Sequence, residues 1–346
     1  MPQELTQNEI RQAIPAHCFE ISRRKSYLTA ARVIALYAAG VAATHLAPHW
    51  ALLPILWFFT GTAMTALFVA AHECGHLAFS HSKRESFFWG HALLIPFFYP
   101  FHGWRHAHNV HHQHTNNREA DNAWNNAITE QQFNRQPAAI QLILTAVRGP
   151  LWFLGSIAHS FLTQIETIRS GGKRRDETWF SIAVGVAAGV AWYAAFIHFW
   201  GAAETARVFV PPFFVFHFWL STFTLLHHTH ENTRFFKTAE WGFYRGQIEG
   251  TVYCQFPRWI EWLVLDINVH VPHHVSAQIP WYNLREATAA LRERFGKDIV
   301  VYRFSFRKLF AIIGECARTD EEGYFRPLPL GMSGLLKNWI LGKTTS

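Results

Sequence analysis

Cysteine is scarce in this sequence, and no two cysteines lie close together in the chain. Of 346 residues, only Cys18, Cys74, Cys254 and Cys316 are cysteines, and they form no C-x-x-C pair. Isolated cysteines of this kind are typical of reduced thiols in a cytoplasm-facing protein, not of a disulfide framework. The sequence also lacks internal repeats and low-complexity linkers, which predicts one integrated domain over residues 1–346.

Two other patterns are missing. The first 25 residues contain acidic side chains and lack an apolar stretch, so we expect no cleavable signal or transit peptide. Lysine and arginine form no compact stripe interleaved with aromatic residues, which is the pattern typical of nucleic-acid binding. We therefore expect no nucleic-acid partner.

Charged residues are absent from three long apolar runs, and a fourth contains only one, Arg32. Residues 51–71 carry no charge over roughly the 20 residues needed to cross about 30 Å of hydrocarbon. Similar runs cover residues 28–47, 179–200 and 208–227, and none of the four contains aspartate. Short links join the runs in two pairs, which predicts four transmembrane helices arranged as two hairpins.

Basic residues flank the outer ends of both predicted hairpins. They cluster at residues 23–25 and 173–175 and are frequent after residue 230. By the positive-inside tendency, the N-terminus and the segments 72–178 and 228–346 face the cytoplasm. We predict an all-α integral membrane protein whose two hairpins are capped by a cytoplasmic helical domain. The expected location is multi-pass in a bacterial inner membrane, with the functional site on the cytoplasmic side.

Three further segments have their own patterns. Residues 139–169 are apolar but interrupted at 148–150, which favours a broken helix lying along the membrane surface. Residues 86–101 form a short apolar stretch with prolines, typical of an interfacial or re-entrant element. Residues 283–295 have the amphipathic pattern of a cytoplasmic helix that packs on the rest of the domain.

Histidine is abundant, with 22 in the chain, and several follow a regular spacing. In HECGH, His72 and His76 stand at i and i+4 on one helix face. The segments HNVHH (108–112) and HVPHH (270–274) repeat the pattern H-x-x-H-H. At about 100° per residue, positions i+3 and i+4 lie on either side of position i and diverge by about 100°. One helical turn of this kind can therefore supply ligands to two neighbouring metals.

The predicted topology brings the histidine clusters to one membrane face. His72 and His76 follow the second span, His227 and His228 end the fourth, and both H-x-x-H-H segments lie in cytoplasmic regions. A shared metal site requires this common location. His217 lies about 16 Å from His228 along a helix, too far to share the metals, and we expect it to be hydrogen-bonded inside the membrane.

Polar residues beside the histidine segments are weaker indications of a metal site. Pro272 is tolerated only in the first turn of a helix, so HVPHH is expected to open a helix with Asn268 as its N-cap. The segment HNVHH (108–112) is followed by three polar residues that are candidates to orient ligating imidazoles. They are Asn116, Asp121 and Asn122. A role as solvated loop residues is the equally simple alternative.

HECGH is compatible with several metal chemistries. A zinc protease would use Glu73 as its base but needs a third ligand, usually an aspartate from a later span, and the spans contain none. A ferritin-like site needs a second Glu-x-x-His motif, which the chain lacks. A histidine-rich metal transporter, the remote alternative, would spread its ligands along a path through the membrane.

The remaining interpretation is a non-haem di-iron centre held mainly by neutral imidazoles. Imidazole suits iron, and a membrane location suggests a lipid substrate. Oxidation of an unactivated C–H bond by O₂ fits both features. In this interpretation Glu73 bonds a ligating imidazole or a water and is not the catalytic base.

The histidine segments resemble those of a known family. HECGH, WRHAHNVHHQHTN and DINVHVPHH are similar to the three histidine boxes of membrane fatty-acid desaturases, and most similar to the cyanobacterial-type acyl-lipid Δ12 (omega-6) group. The resemblance covers roughly residues 15–325 and departs from the family pattern at Leu265, where close relatives tend to carry histidine. It extends through FHGWR (101–105), ADNAW (120–124), RGP (148–150), FHFWLSTFTLLHHT (216–229), PRWIEW (257–262) and IPWYNLR (279–285).

The resemblance implies a set of iron ligands. One of them comes from the LHHT segment, where we favour His228 because relatives often carry another residue at the place of His227. The implied ligands are His72, His76, His108, His111, His112, His228, His270, His273 and His274.

The resemblance also implies the reaction and its partners. Two non-haem iron ions would use O₂ as co-substrate to place a cis double bond in a fatty-acyl chain of a membrane lipid, at Δ12 of an oleoyl-type chain. The sequence contains no His-Pro dipeptide, so the His-Pro-Gly-Gly signature of a fused cytochrome b5 domain is absent and we expect an external ferredoxin-like electron donor. A lipid hydroxylase or ketolase of the same superfamily is the alternative.

Overall fold

The computed structural model of the chain describes residues 5–122 and 128–327. Two sequence predictions extend past these ranges, because the 120–124 motif and the 228–346 segment lie partly outside the described residues. In chain order, the helices are α1 (Gln7–Arg11), α2 (Arg23–His45), α3 (Leu53–Gly75), α4 (Lys83–Leu94), α5 (Phe101–His114), α6 (Glu130–Asn134), α7 (Ala138–Arg148), α8 (Gly155–Arg169), α9 (Gly172–Trp200), α10 (Ala202–His228), α11 (Arg258–Leu263), α12 (His270–Val275), α13 (Leu284–Phe295) and α14 (Phe306–Glu315).

Four of these helices are long and apolar enough to cross a membrane. They are α2, α3 extended back to Trp50, α9 and α10. The last three contain a predicted span each, and α2 covers the run 28–47 except for its last two residues. The helices continue beyond the apolar runs because polar residues such as Arg23 and Lys173 prolong α2 and α9 without breaking their hydrogen-bonded turns. The prediction of four membrane helices is confirmed.

Short strands correct the prediction of an all-α fold. The strands are β1 (Val252–Gln255), β2 (Val300–Arg303), β3 (Arg318–Thr319) and β4 (Phe325–Arg326), with β1 parallel to β2 and β3 antiparallel to β4. Strands β1 and β2 lie almost 50 positions apart in sequence, so their pairing leaves no local periodic signal. The described chain is nevertheless mostly helical.

Helix α3 is the centre of the membrane bundle. It packs against α2 on one side and against α10 on the other. Gly40 of α2 lies under Thr60, where an added Cβ would be 2.7 Å from the Thr60 hydroxyl. At Gly61, an added Cβ would be 2.6 Å from the backbone oxygen of Pro212. Small residues allow close backbone approach between membrane helices, and here they bring α2, α3 and α10 together.

Helix α9 has the opposite character, because most of its surface is exposed. Large apolar side chains such as Trp179, Val190 and Phe199 are more than half exposed. A helix with apolar residues exposed on several sides is typical of a membrane span that faces lipid.

The hairpin formed by α4 and α5 runs along α9. His106 lies 2.8 Å from the Glu177 carboxylate near the start of α9, and Tyr193 donates a 2.7 Å hydrogen bond to the carbonyl of Pro96 at the bend of the hairpin. The 16 residues from Glu177 to Tyr193 correspond to about 24 Å along a helix. The predicted interfacial or re-entrant segment 86–101 therefore follows the path of a re-entrant hairpin.

Helices α7 and α8 form the predicted broken pair. They are bent by 96° at the break that follows Arg148. Gly149 has φ −111° and ψ −119°, which ends α7, and the predicted interruption at residues 148–150 is confirmed. Helix α8 joins the bundle through Ser156, whose hydroxyl lies 2.8 Å from Nδ1 of the buried His217. His217 is hydrogen-bonded, as predicted.

The loop before α12 corrects the predicted N-cap. Helix α12 begins at His270 with Val269 in the N-cap position and no side-chain cap. Asn268 instead donates hydrogen bonds to the carbonyl of Cys254 at 2.9 Å and to Glu261 at 2.8 Å. Its amide is used to tie the loop to β1 and α11, so it is not free to cap the helix. Pro272 lies in the first turn, as expected.

An ion-paired network fixes the same loop. Arg285 of α13 bonds Asp266 through Nε at 2.8 Å and Glu261 through Nη2 at 2.7 Å. Leu265 and Asp266 have φ of +56° and +52°, a conformation that costs energy for non-glycine residues. The buried carboxylate of Glu261 and the guanidinium of Arg285 offset that cost by holding the turn in place.

The close approach at Gly61 generates a stability prediction. We expect Gly61→Ala to lower the melting temperature of the purified protein in detergent, because its methyl group meets the Pro212 backbone oxygen, which no side-chain rotation can move. Overpacking of this kind costs about 1–3 kcal/mol. The matched control is Gly185→Ala in α9, where the nearest atom is 3.8 Å from an added Cβ. Equal melting temperatures for the two variants would contradict the packing role of Gly61.

Candidate metal centre

Five predicted ligands form a first histidine group. His72 lies in the last turn of α3 and His76 directly follows it, while α5 and α12 complete the group. Nε2 of His108 lies 3.0 Å from Nε2 of His72 and 3.1 Å from Nε2 of His112. One ligand nitrogen from each residue lies within 4.8 Å of all the others. The members of the first group are His72, His76, His108, His112 and His273.

The other four predicted ligands form a second group beside the first. Nε2 of His228 lies 3.2 Å from Nε2 of His111 and 3.1 Å from Nε2 of His270. Nε2 of His274 is 2.9 Å from that of His270. All nine predicted residues are thereby brought together in two adjacent groups. The members of the second group are His111, His228, His270 and His274.

The H-x-x-H-H segments divide between the groups by helical position. In α5, His108 and His112 (i and i+4) join the first group and His111 (i+3) joins the second. In α12 the assignment is reversed, because His273 (i+3) joins the first group and the flanking pair joins the second. Each H-x-x-H-H turn thus places its histidines in two neighbouring groups, as the angle per residue predicts. Each helix contributes to both groups and fixes the distance between them.

Burial favours the neutral form of six of these imidazoles. Removal from water disfavours the charged form, and it lowers the pKa of His273 to about 3. Neighbouring imidazoles lower each pKa further, since a second positive charge nearby would be repelled. Neutral imidazole is the form that binds a metal. The other histidines outside the spanning helices whose pKa lies well below the ordinary value for the same reason are His76, His108, His112, His270 and His274.

The contacts between nitrogens fit a bound cation better than hydrogen bonds. Nε2 of His108 faces Nε2 of both His72 and His112 at about 3 Å, yet each neutral ring carries only one N–H. Several facing lone pairs therefore lack a proton. Two nitrogens that each lie about 2.1 Å from one metal at a right angle are roughly 3.0 Å apart. The donor set and its spacing thus fit metal ions bound between the rings.

Asp121 orients one imidazole of the second group. Nδ1 of His111 lies 2.8 Å from Oδ1 of Asp121, so this nitrogen carries the proton and Nε2 keeps its lone pair. The other carboxylate oxygen accepts a 2.8 Å hydrogen bond from the backbone N–H of Asn116. Asn116 thus holds Asp121 and not an imidazole, while Asn122 lines the neighbouring cavity. Of the three residues suggested by the sequence, Asp121 alone bonds a box histidine directly.

Gln247 is a site residue that the sequence did not reveal. It lies on a π-helical turn, Arg245–Glu249, and is fully buried. Its Oε1 accepts a 2.9 Å hydrogen bond from Nδ1 of His274, and its Nε2 donates to the carbonyl of His112 at 2.7 Å. One amide therefore links both groups. π-Helical turns are frequent at functional sites, but no residue spacing in a single sequence predicts where one occurs.

Glu73 and His227 adjoin the groups without joining them. The Glu73 carboxylate accepts a 2.9 Å hydrogen bond from the backbone N–H of Trp281 and lies 3.9 Å from Nδ1 of His72. Glu73 is therefore hydrogen-bonded to the segment after α12, and its contact with the His72 imidazole is longer than a hydrogen bond. His227 stacks on His270 with ring centres 3.8 Å apart. Its neighbour His228 is the one that belongs to a group, as the sequence analysis favoured.

A cavity joins the apolar bundle to both histidine groups. The space between its lining side chains measures ≈ 870 Å³ including its open mouth. Along α3 it extends from His72 back to Thr65, about 10 Å along the helix. At the inner end it is lined by His72, His108, His111, His227, His228 and His270, and elsewhere by side chains that include Thr65, Phe68, Val69, Tyr99, Trp104, Leu220, Phe223 and Thr224.

Comparison of the sequence with known proteins identifies its family and several relatives. Residues 48–306 match the family model described as fatty acid desaturase. A protein of Synechocystis sp. named sn-1 oleoyl-lipid 12-desaturase is 38% identical over 323 residues, which cover 93% of this chain and 92% of that protein. One of the same name from Anabaena variabilis is 35% identical, covering 94% and 93%.

A plant protein extends the likeness. The chloroplastic omega-6 fatty acid desaturase of Spinacia oleracea is 34% identical over 327 residues, which cover 94% of this chain and 72% of that protein. The aligned regions include all three histidine boxes within residues 48–306. Because the family model and full-length relatives both match, this chain belongs to the fatty acid desaturase family and is an oxidoreductase.

Proposed function

We propose that this protein is an O₂-dependent di-iron desaturase that places a cis double bond at Δ12 of an oleoyl-type chain in a membrane lipid. The observation that carries the proposal is the cavity, which leads from apolar side chains of α3 and α10 directly to imidazoles of both histidine groups. The names of the relatives, oleoyl-lipid 12-desaturase and omega-6 desaturase, favour this lipid and this position.

The nine histidines of the two groups would hold the iron ions. Five neutral imidazoles lie around one position and four around the other, and imidazole is a good ligand for iron. Asp121 and Gln247 would keep two of the rings in the tautomer that directs Nε2 to the metal. When bound, the irons would supply the four-electron reduction of O₂ to water.

The protein's own contribution is to position the chain and to exclude water. Phe68, Phe223 and Leu220 give the cavity apolar surface, against which a hydrocarbon chain can pack. Holding two adjacent methylenes beside the histidine groups restricts which hydrogens are removed. The reaction takes two hydrogens from the chain, two electrons from a donor and two protons from solvent, and it yields two waters.

Electrons would enter the two histidine groups from a side other than the apolar cavity. A second opening reaches His76, His112 and His274, histidines that do not line the apolar cavity, and its rim includes Arg11 and Gln113. Substrate and donor would therefore approach different histidines. We place this opening, which lies between α1, α5 and the end of α12, on the cytoplasmic face of a helical cap, where an external ferredoxin-like donor supplies the electrons. A bacterial inner membrane is the proposed location.

The product identifies the reaction. Expression in a host that lacks polyunsaturated lipids should produce a new 9,12-diene, measured by fatty-acid analysis with assignment of double-bond positions. The matched control is the His111→Ala variant, which should give none. A hydroxylated acyl chain in place of the diene would make the lipid hydroxylase the better interpretation.

Metal content tests the histidine groups. We expect about two iron ions per purified chain, and less iron together with lost activity in His273→Ala, because one group then lacks a ligand. The matched control is His114→Ala, which removes a histidine of α5 whose ring lies beside Trp241 and in neither group. An active enzyme containing stoichiometric zinc alone would refute the di-iron assignment.

Asp121 offers a finer test. Asp121→Asn should weaken iron retention about 10–100-fold in a chelator titration, because the amide is a weaker acceptor for Nδ1–H of His111. Asp176→Asn removes an acid that is two-thirds exposed and that, among the described residues, forms an ion pair with its neighbour Arg175 alone, so it serves as the control. Equal iron retention in both variants would show that Asp121 does not tune the metal site.

A further inference from the structure

A groove separate from the cavity at the histidine groups lies on the outer side of the α4–α5 hairpin, between α4 and α9. Arg84 lies at its polar end and Ile95 at its deep end, with Phe180 and Val184 of α9 forming the facing wall. The 11 residues from Arg84 to Ile95 span about 16 Å along α4. One leaflet of a bilayer has about 15 Å of hydrocarbon, half of the usual 30 Å. The groove therefore has the depth of a single lipid tail.

The walls of the groove are apolar, but one buried histidine is not accounted for. His102 is 5% exposed and lines the groove, and its Nδ1 has no hydrogen-bond partner among the described residues. The adjacent His91 is fully bonded, to the carbonyl of Phe87 at 2.8 Å and to Ser181 at 2.8 Å. A buried polar atom left unpaired costs about 1–3 kcal/mol. Nδ1 of His102 is itself covered by protein atoms, so a ligand in the groove would contact other atoms of this ring.

The polar end of the groove carries positive charge that is not neutralised. Lys83 and Arg84 are exposed and form no ion pair within residues 5–122 and 128–327. The neighbouring acid, Glu85, is turned to the other side, where it accepts a hydrogen bond from Ser80 and lies 3.3 Å from Arg23. An arginine at this level is suited to bind a phosphate.

Helix α5 separates this groove from the cavity that leads to the histidine groups. His102 lies on the groove side of α5, while Trp104, Ala107 and His108 line the cavity on the other side. A chain in the groove is therefore kept from the metal ligands by the helix that carries them. A lipid held there would contact α5 without being a substrate.

We propose that the α4–α9 groove binds one phospholipid, with its phosphate on Arg84 and one acyl chain along the wall formed by Ala92, Phe180 and Val184. This lipid is a stably bound component of the protein and is not desaturated. Its site goes beyond the desaturase reaction and does not depend on it.

Native mass spectrometry of the full chain tests the proposal. The purified protein is stripped of lipid in detergent and titrated with dipalmitoyl phosphatidylglycerol, a saturated probe. We expect one retained lipid per chain in the unmodified protein, at least tenfold weaker binding in Ala92→Trp and in Val184→Trp, which fill the groove from either wall, and several-fold weaker binding in Arg84→Gln. Dipalmitoylglycerol, which lacks the phosphate, should bind several-fold more weakly.

Matched controls separate this site from other lipid contacts. Arg24→Gln removes an exposed cation at the start of α2, and Val190→Trp adds a ring on the exposed surface of α9, so both should keep the lipid. Thr224→Trp obstructs the cavity at the histidine groups and should also keep it. Retention in both groove-filling variants, or loss in Thr224→Trp, would overturn the proposal. Equal binding of dipalmitoylglycerol would overturn the role of Arg84.

Discussion

The structure depends on the convergence of neutral imidazole nitrogens at distances where they should repel. Nε2 atoms of His72, His108 and His112 face one another at about 3 Å, and burial disfavours the protons that would relieve the contact. Such a cluster is unfavourable unless cations lie between the rings. The surrounding helices must therefore hold the imidazoles in place before any metal binds, and much of the fold serves that purpose.

Three kinds of interaction hold the imidazoles in place. Helix α3 is fixed by close contacts at Gly40 and Gly61, so the end that carries His72 cannot drift from α10 and His228. Asp121 and Gln247 restrain single rings by hydrogen bonds. Around α12, the Arg285 network holds a turn with two left-handed residues. The restraint thus comes from packing in the membrane and from buried ion pairs in the polar region, where apolar packing is less available.

The sequence could predict what depends on local periodicity. The four spans follow from uninterrupted apolar runs, and the division of His108, His111 and His112 between two groups follows from the angle per residue in a helix. The strands β1 and β2, the role of Asn268 and the contact of Gln247 depend on pairs of residues brought together by the tertiary fold, for which one sequence gives no signal. Asn268 illustrates the point, because a good N-cap residue was used for a stronger pair of buried hydrogen bonds.

Helix α5 connects the two lipid-facing parts of the protein. Its inner face presents His108 and His111 to the proposed irons, and its outer face presents His102 to the groove along α9. Any displacement of α5 toward the groove would move ligands of both histidine groups at once, since each group takes part of the H-x-x-H-H turn. A groove filled by a tightly held lipid resists that displacement, whereas an empty groove lined by exposed apolar residues does not. A lipid bound in the proposed outer site would therefore restrain the proposed metal ligands through one helix, without any contact between lipid and metal.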